Sequence, residues 1–226
     1  MKGRSLNEQA IECFEKHLRE EEKSENTTRK YLRDVRAFIA YLNGAEVTKG
    51  SVIAYKNRLI NKNYAVRSIN SMLASLNTLF SFLGWPDCRV RSIRLQQQLY
   101  CPEEKELTKD EYTRLCQTAK CRHNERLNLI LQTICGTGIR VSELQYITVE
   151  AVKHGEATVS LKGKTRSVFI VKELKQKLLR WAAEQGIKAG MIFVTRTGKP
   201  ISRTNIWREM KALCAEAQVD PQKVFP

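Results

Sequence analysis

The sequence predicts a mainly α chain of two domains: four helices first, then an α+β domain whose helices surround a small β-hairpin sheet. Three observations predict it. Apolar residues recur at helical spacing up to residue 83, the periodicity fails at "FLGWPDC", and two short runs of alternating apolar and polar residues interrupt the helices that follow. At 226 residues the chain suits two modest domains. The expected division is 1–97, a linker over 98–106, and 107–226.

In the first domain, Tyr31, Val35, Phe38, Ile39 and Leu42 recur at i, i+4, i+7, i+8 and i+11, one stripe of a helix. Helices are expected near 5–21, 26–43, 48–62 and 66–83. Asn26 or Thr27 and Thr48 are the expected N-caps, and "LNGAE" and "INKNYA" supply the Gly and Asn found between helices. Residues 86–106 read as a linker carrying Arg89, Arg91 and Arg94. A strap that basic suits a solvated connector, a contact to a phosphate backbone, or both.

The second domain opens on "LTKDEY". Thr108 and Glu111 have the spacing of a capping box, with Leu107 and Tyr112 placed as a hydrophobic staple. A helix to about 119 and another from about 123 to 135 follow, then the turn in "CGTGIRVSELQYIT" and a short helix from about Ser142. "EATVSLKG" and "TRSVFIV" form the hairpin, with a basic loop between them. Helices near 172–185 and 202–217 flank the short run "MIFVT" and a turn at "RTGK".

Composition narrows the function classes. The chain holds 39 Lys plus Arg against 24 Asp plus Glu, a formal charge of +15. The surplus is spread: residues 1–100 carry 17 basic and 10 acidic groups, and residues 101–226 carry 22 and 14. Excess charge in both halves suits a clamp that grips a polyanion, nucleic acid above all, from two sides. Seven cysteines without a C-x-x-C point to a reducing compartment, and His17, His123 and His154 form no H-x-x-x-H pair, so no metal is implied. Neither a secretory h-region nor a membrane-length apolar run is present, and the expected location is cytoplasmic. The sequence contains no P-loop and no carboxylate cluster of a two-metal nuclease, so no nucleotide and no cofactor is expected.

The candidate chemistry lies in the Gly-Arg-Glu turn. Gly136 and Gly138 let the chain turn tightly, so Arg140 is displayed at the mouth of a short helix. A guanidinium held there can fork two phosphate oxygens. Glu143, three residues on, shares its face and can orient the guanidinium or a nearby amide. A plain capping arginine with a solvent-side glutamate fits the same spacing. On the hairpin, "LKGKTR" adds Lys162, Lys164 and Arg166, able to meet a groove or to donate a proton. Arg203 opens the last helix as a further basic position.

"GTGIRVSELQYITVEAV" followed by "VSLKGKTRSVFIV" resembles the first catalytic box and the β-hairpin lysine segment of the tyrosine recombinase (phage integrase) family. "SENTTRKYLRDVRAFIAYL" and "AVRSINSMLASLNTLFSFL" resemble that family's helical, SAM-like core-binding domain, so the likeness spans nearly the whole chain. The resemblance implies site-specific cutting and rejoining of double-stranded DNA through a 3'-phosphotyrosine, by a tetramer on DNA in the complete enzyme, without cofactors. It implies that Arg140 stabilises the scissile phosphate, with Glu143 in support. It also implies that Lys162, or else Lys164, protonates the leaving 5'-oxygen on a loop one residue shorter than the commoner form. Arg89, Arg91, Arg94, Arg166 and Arg203 are the expected DNA contacts.

The likeness has a gap. The family pattern continues with an H-x-x-R box, a further His or Trp and the attacking tyrosine, whereas here no histidine follows His154 and no tyrosine follows Tyr146. The expectation is a sequence cut short before that box, inactive in strand cleavage. A non-catalytic DNA binder that occupies sites is the alternative, and a helical adaptor for an acidic protein is a third reading that salt titration separates.

Overall fold

The computed structural model describes residues 4–95, 103–161, 163–195 and 197–225. It divides into two compact units, Met1–Gln98 and Leu99–Pro226. Among the described residues no helix is long and apolar enough to cross a membrane.

The first unit holds four helices: α1 (Glu8–Glu20), α2 (Glu25–Leu42), α3 (Lys49–Asn61) and α4 (Val66–Phe82). Side-chain oxygens set three of the starts. Asn7 accepts from the Ala10 amide at 2.9 Å, and Thr48 and Ser51 cap each other's backbone reciprocally before α3. The cap of α2 is Ser24, not Asn26 or Thr27. Ser24 still has an extended ψ of 147° and accepts from the Thr27 amide, so Asn26 and Thr27 are already in the first turn. The apolar stripes meet in one core, where Phe14, Leu18, Val35, Phe38, Leu73, Leu76, Leu79 and Phe80 are fully buried.

The first part of the expected linker belongs to this unit. Cys88 and Val90 are buried in its core and Ile93 packs against it. Two asparagines of α4 receive the strap as a strand would. Asn77 donates to the Val90 carbonyl at 2.8 Å and accepts from its amide at 2.9 Å, and Asn70 does the same for Ile93 at 2.9 and 2.8 Å. Lys49 and Lys56 of α3 donate to the carbonyls of Arg89 and Arg91. The apolar spacing here is that of an extended chain, so loss of helical periodicity at residue 84 is not loss of packing. Residues 96–102, with most of the expected 98–106 linker, lie outside the described residues; Glu103–Lys105 form a 3-10 turn.

The second unit begins with α5 (Lys109–Cys121) and α6 (Glu125–Thr137). Thr108 and Glu111 form a capping box, at 2.8 Å from the Thr108 amide and 3.2 Å from the Glu111 amide. Leu107 and Tyr112 both pack against the unit's core. A 3-10 turn over Val141–Tyr146 stands where a short helix was expected, and the sequence reading missed the helix after it, α7 (Val149–His154), which Thr148 caps and Gly155 ends. The hairpin of β1 (Glu156–Leu161) and β2 (Lys164–Phe169) is antiparallel, with Ala157 opposite Val168 and Val159 opposite Arg166. Next come α8 (Lys172–Glu184), the bridges Thr148 to Met191 and Val194 to Pro200, and α9 (Arg203–Cys214), capped by Ser202. Ala157, Val159 and Val168 turn one face of the hairpin into a core that also holds Ile130, Ile147, Leu178, Phe193 and Ile206.

Candidate active site and DNA interface

The turn that presents Arg140 is built by its neighbours. Helix α6 runs through Gly136 and stops at Gly138, which takes the left-handed conformation at φ 64°. Only the second glycine is therefore required by the turn. Gly136 is helical, and a Cβ there would meet Leu174 at an ordinary 3.9 Å. Ile139 and Val141 then bury on either side of Arg140, in extended backbone at φ −76° and ψ 151°. Anchored before and after, Arg140 has its side chain directed outward, 69% exposed.

Glu143 meets Arg140 because of the 3-10 geometry, in which residues i and i+3 eclipse. Its carboxylate is 1% exposed, the opposite of a solvent-side glutamate. Oε2 accepts from the Arg140 amide at 2.9 Å and Oε1 from Arg140 Nη1 at 3.0 Å. One carboxylate thus fixes both the backbone and the guanidinium.

A third donor arrives from the hairpin. Residues directly opposite in an antiparallel pair share a face, so Arg166, opposite Val159, lies on the face that carries the core residues. Its Nη2 donates to Glu143 Oε2 at 2.7 Å, and its side chain stays 43% exposed. Burial pushes the Glu143 carboxyl upward. Hydrogen bonds from the Arg140 amide and from the Arg166 and Arg140 guanidinia outweigh it and hold the group below the usual carboxylate range. Two guanidinia around one buried anion leave a net positive site with unused N–H donors at the surface, suited to binding phosphate oxygens and to stabilising charge that develops on them.

The other candidate positions are distributed. Lys164 is exposed in β2, opposite Leu161. The strands leave only residues 162 and 163 between them, so Lys164 and Arg166 are strand residues and not part of a basic loop. Lys162 lies outside the described residues. Arg89, Arg91 and Arg94 are exposed along the strap of the first unit, alternating with the buried Cys88 and Val90. Arg203 is exposed in the first turn of α9. Tyr146 packs against the core, and its hydroxyl donates to the Ser160 carbonyl at 2.5 Å, which ties the 3-10 turn to β1.

Two family profiles match this chain: the phage integrase family over residues 105–225, and the phage integrase N-terminal SAM-like domain over residues 11–86. The chain belongs to the phage integrase family. It is homologous to the Xer tyrosine recombinases. It is 26% identical to tyrosine recombinase XerA of Pyrococcus furiosus, over all of this chain and 79% of that one. It is 27% identical to XerA of Thermococcus kodakarensis, over 96% of this chain and 78% of the relative. Among solved structures, lambda integrase (residues 75–356) bound to DNA superposes with a TM-score of 0.74 at 18% identity, over 94% of this chain and 79% of that one. A lambda integrase tetramer bound to a Holliday junction gives 0.76 at 18% identity, over 94% and 66%. At that identity the likeness is one of fold: a SAM-like helical domain followed by the integrase catalytic domain. Membership of this family supports site-specific DNA recombination as the activity.

Proposed function

We propose that these 226 residues form the DNA-holding and phosphate-activating part of a tyrosine-type site-specific recombinase. Arg140 binds the scissile phosphate and stabilises the negative charge that builds up on it as a tyrosine attacks to give a 3'-phosphotyrosine. Glu143 orients that guanidinium, and Arg166 completes the charge balance. Lys162, or alternatively Lys164, protonates the leaving 5'-oxygen. Arg89, Arg91 and Arg94 on the first unit and Arg203 on the second bind backbone phosphates. Double-stranded DNA is the partner, and the active assembly on DNA is a homotetramer.

The observation that carries this reading is the convergence of Arg140 and Arg166 on the buried Glu143. A buried carboxylate under two exposed guanidinia is an expensive arrangement for stability alone and a useful one for holding phosphate. Titrating DNA affinity against salt tests the reading. Log affinity is expected to fall linearly with log salt, by about 0.9 for each phosphate neutralised. A shallow, curved response would remove DNA from the account.

A second reading has its own support. The Tyr146 hydroxyl, in the turn beside Arg140, is engaged with the Ser160 carbonyl. These 226 residues on their own are proposed to bind DNA by site occupancy without cleaving it. A nicked duplex that traps covalent protein decides the matter: a phosphotyrosine adduct, on Tyr146 above all, refutes it.

A further inference from the structure

Among the described residues, two hydrogen bonds join the Val141–Tyr146 turn to the hairpin. Glu143 accepts from Arg166 on β2, and the Tyr146 hydroxyl donates to the Ser160 carbonyl on β1 at 2.5 Å. The proposed reaction gives the first bond a task and leaves the second unused.

The two bonds are related by geometry. Glu143 and Tyr146 are three residues apart in a 3-10 turn, where such positions eclipse, so both reach the hairpin from one row. Their partners sit on different strands: Val159 is opposite Arg166, and Ser160 is the next residue along β1. The sheet is two strands wide, so its tilt depends on what holds it from outside. A single bond leaves such a ribbon free to pivot about the point of attachment, whereas one bond to each strand fixes the tilt. The Tyr146 ring packs against the core with or without its hydroxyl, so the hydroxyl supplies the tie and not the burial. Lys164 stands two residues before Arg166 in β2. Residues two apart in a strand share a face, so the tilt that brings Arg166 to Glu143 also directs Lys164.

We propose that Tyr146 is a positioning residue for recombination: its bond to Ser160 sets the tilt of the hairpin and so holds Arg166 and Lys164 beside the phosphate that Arg140 binds. The inference rests on the reading of Arg140 as the phosphate ligand. A proton donor must come within hydrogen-bond reach of the leaving oxygen, and a misplacement of about 1 Å can cost about a hundredfold in rate. Because the acceptor at residue 160 is the backbone carbonyl, the tie holds the path of β1 itself.

Tyr146→Phe in the 226-residue chain tests this, since it keeps the ring, removes the hydroxyl and should melt close to the parent. The first readout is an NMR titration of the Glu143 carboxyl. Tyr146→Phe should shift it upward, because Arg166 is no longer held in place against the carboxylate. In the Arg166→Ala background the same change should add no further shift. A Tyr146 that only packs would leave the Glu143 titration unmoved in both backgrounds, and that result, or an equal shift in both, overturns the proposal. The second readout is affinity for a short duplex of random sequence at fixed salt. Arg166→Ala should weaken binding about tenfold in the parent and clearly less in Tyr146→Phe; equal losses also overturn the proposal. Tyr112→Phe, on α5 and packed against the same core, should change neither readout. If the parent chain does not bind the duplex at all, the phosphate reading fails, and the Glu143 titration still decides the role of Tyr146.

Discussion

Arg166 on the hairpin and Glu143 on the 3-10 turn meet at 2.7 Å, and the register that sets Arg166 opposite Val159 makes that meeting unavoidable once the strands pair. Arg166→Ala is expected to raise the Glu143 pKa, because burial remains while a hydrogen bond and a nearby positive charge are lost. Arg140→Ala should raise it less, since the stronger bond, from the residue 140 amide, survives the change. Carbon-detected NMR titration of the Glu143 carboxyl in the two variants gives the order directly.

Glu143→Gln removes the shared anion. Both arginines are more than a third exposed and regain water, so the expected cost is that of lost charge-assisted hydrogen bonds, about 1–3 kcal/mol by urea unfolding. A change much smaller than that would mean the carboxylate is not holding the turn.

Arg140→Ala should leave the fold intact and weaken DNA binding by about 1–3 kcal/mol, the worth of one charge-assisted phosphate contact. Ile139 and Val141 still anchor the turn in the variant. Equilibrium binding at fixed salt, beside a thermal melt, checks both halves.

Glu111 gives a pH signature. The bond from the Thr108 amide and the one from Lys223 lower its pKa from an ordinary 4.5 to about 2. A carboxyl depressed in the folded state adds stability that is present above about pH 4.5 and is lost as the pH falls toward 2. The melting temperature of Glu111→Gln should therefore lie below that of the parent chain at pH 6, with the gap closing through that window. A gap that stays constant with pH would exclude the ionised capping box as its source.

Asn77→Ala should loosen the strap over residues 88–93, since one side chain satisfies both the amide and the carbonyl of Val90. Leaving those groups unpaired costs about 1–3 kcal/mol each if they stay dry. Faster proteolysis between residues 86 and 95, with the helices unaffected, is the expected outcome.

What the sequence made legible follows the range of each interaction. Thr48, Thr108 and Glu111 act within one turn, and the apolar stripe of α2 repeats within one helix, so these features were readable before any fold was known. Arg140 and Glu143 are three residues apart, and their spacing already suggested contact. The packing of the strap is not legible in the sequence because its partners are polar: Asn77 and Asn70 receive backbone groups 13 and 23 residues away, and no hydrophobic period reports that. Arg166 was readable in principle. Val168 and Ile170 are core residues, and stepping back by two along a strand places Arg166 on the same face.

The double use of Glu143, as acceptor for both the Arg140 amide and its guanidinium, decides when the cost of ordering that side chain is met. A free arginine gives up about 2 kcal/mol of rotamer entropy when it is fixed. Here much of that loss falls during folding, when hydrophobic burial offsets it, and little remains to be met when a phosphate arrives. Because the same carboxylate is fixed in place by the backbone amide, the guanidinium meets an acceptor whose position the turn itself has set, so its placement is established with the fold and before any phosphate arrives.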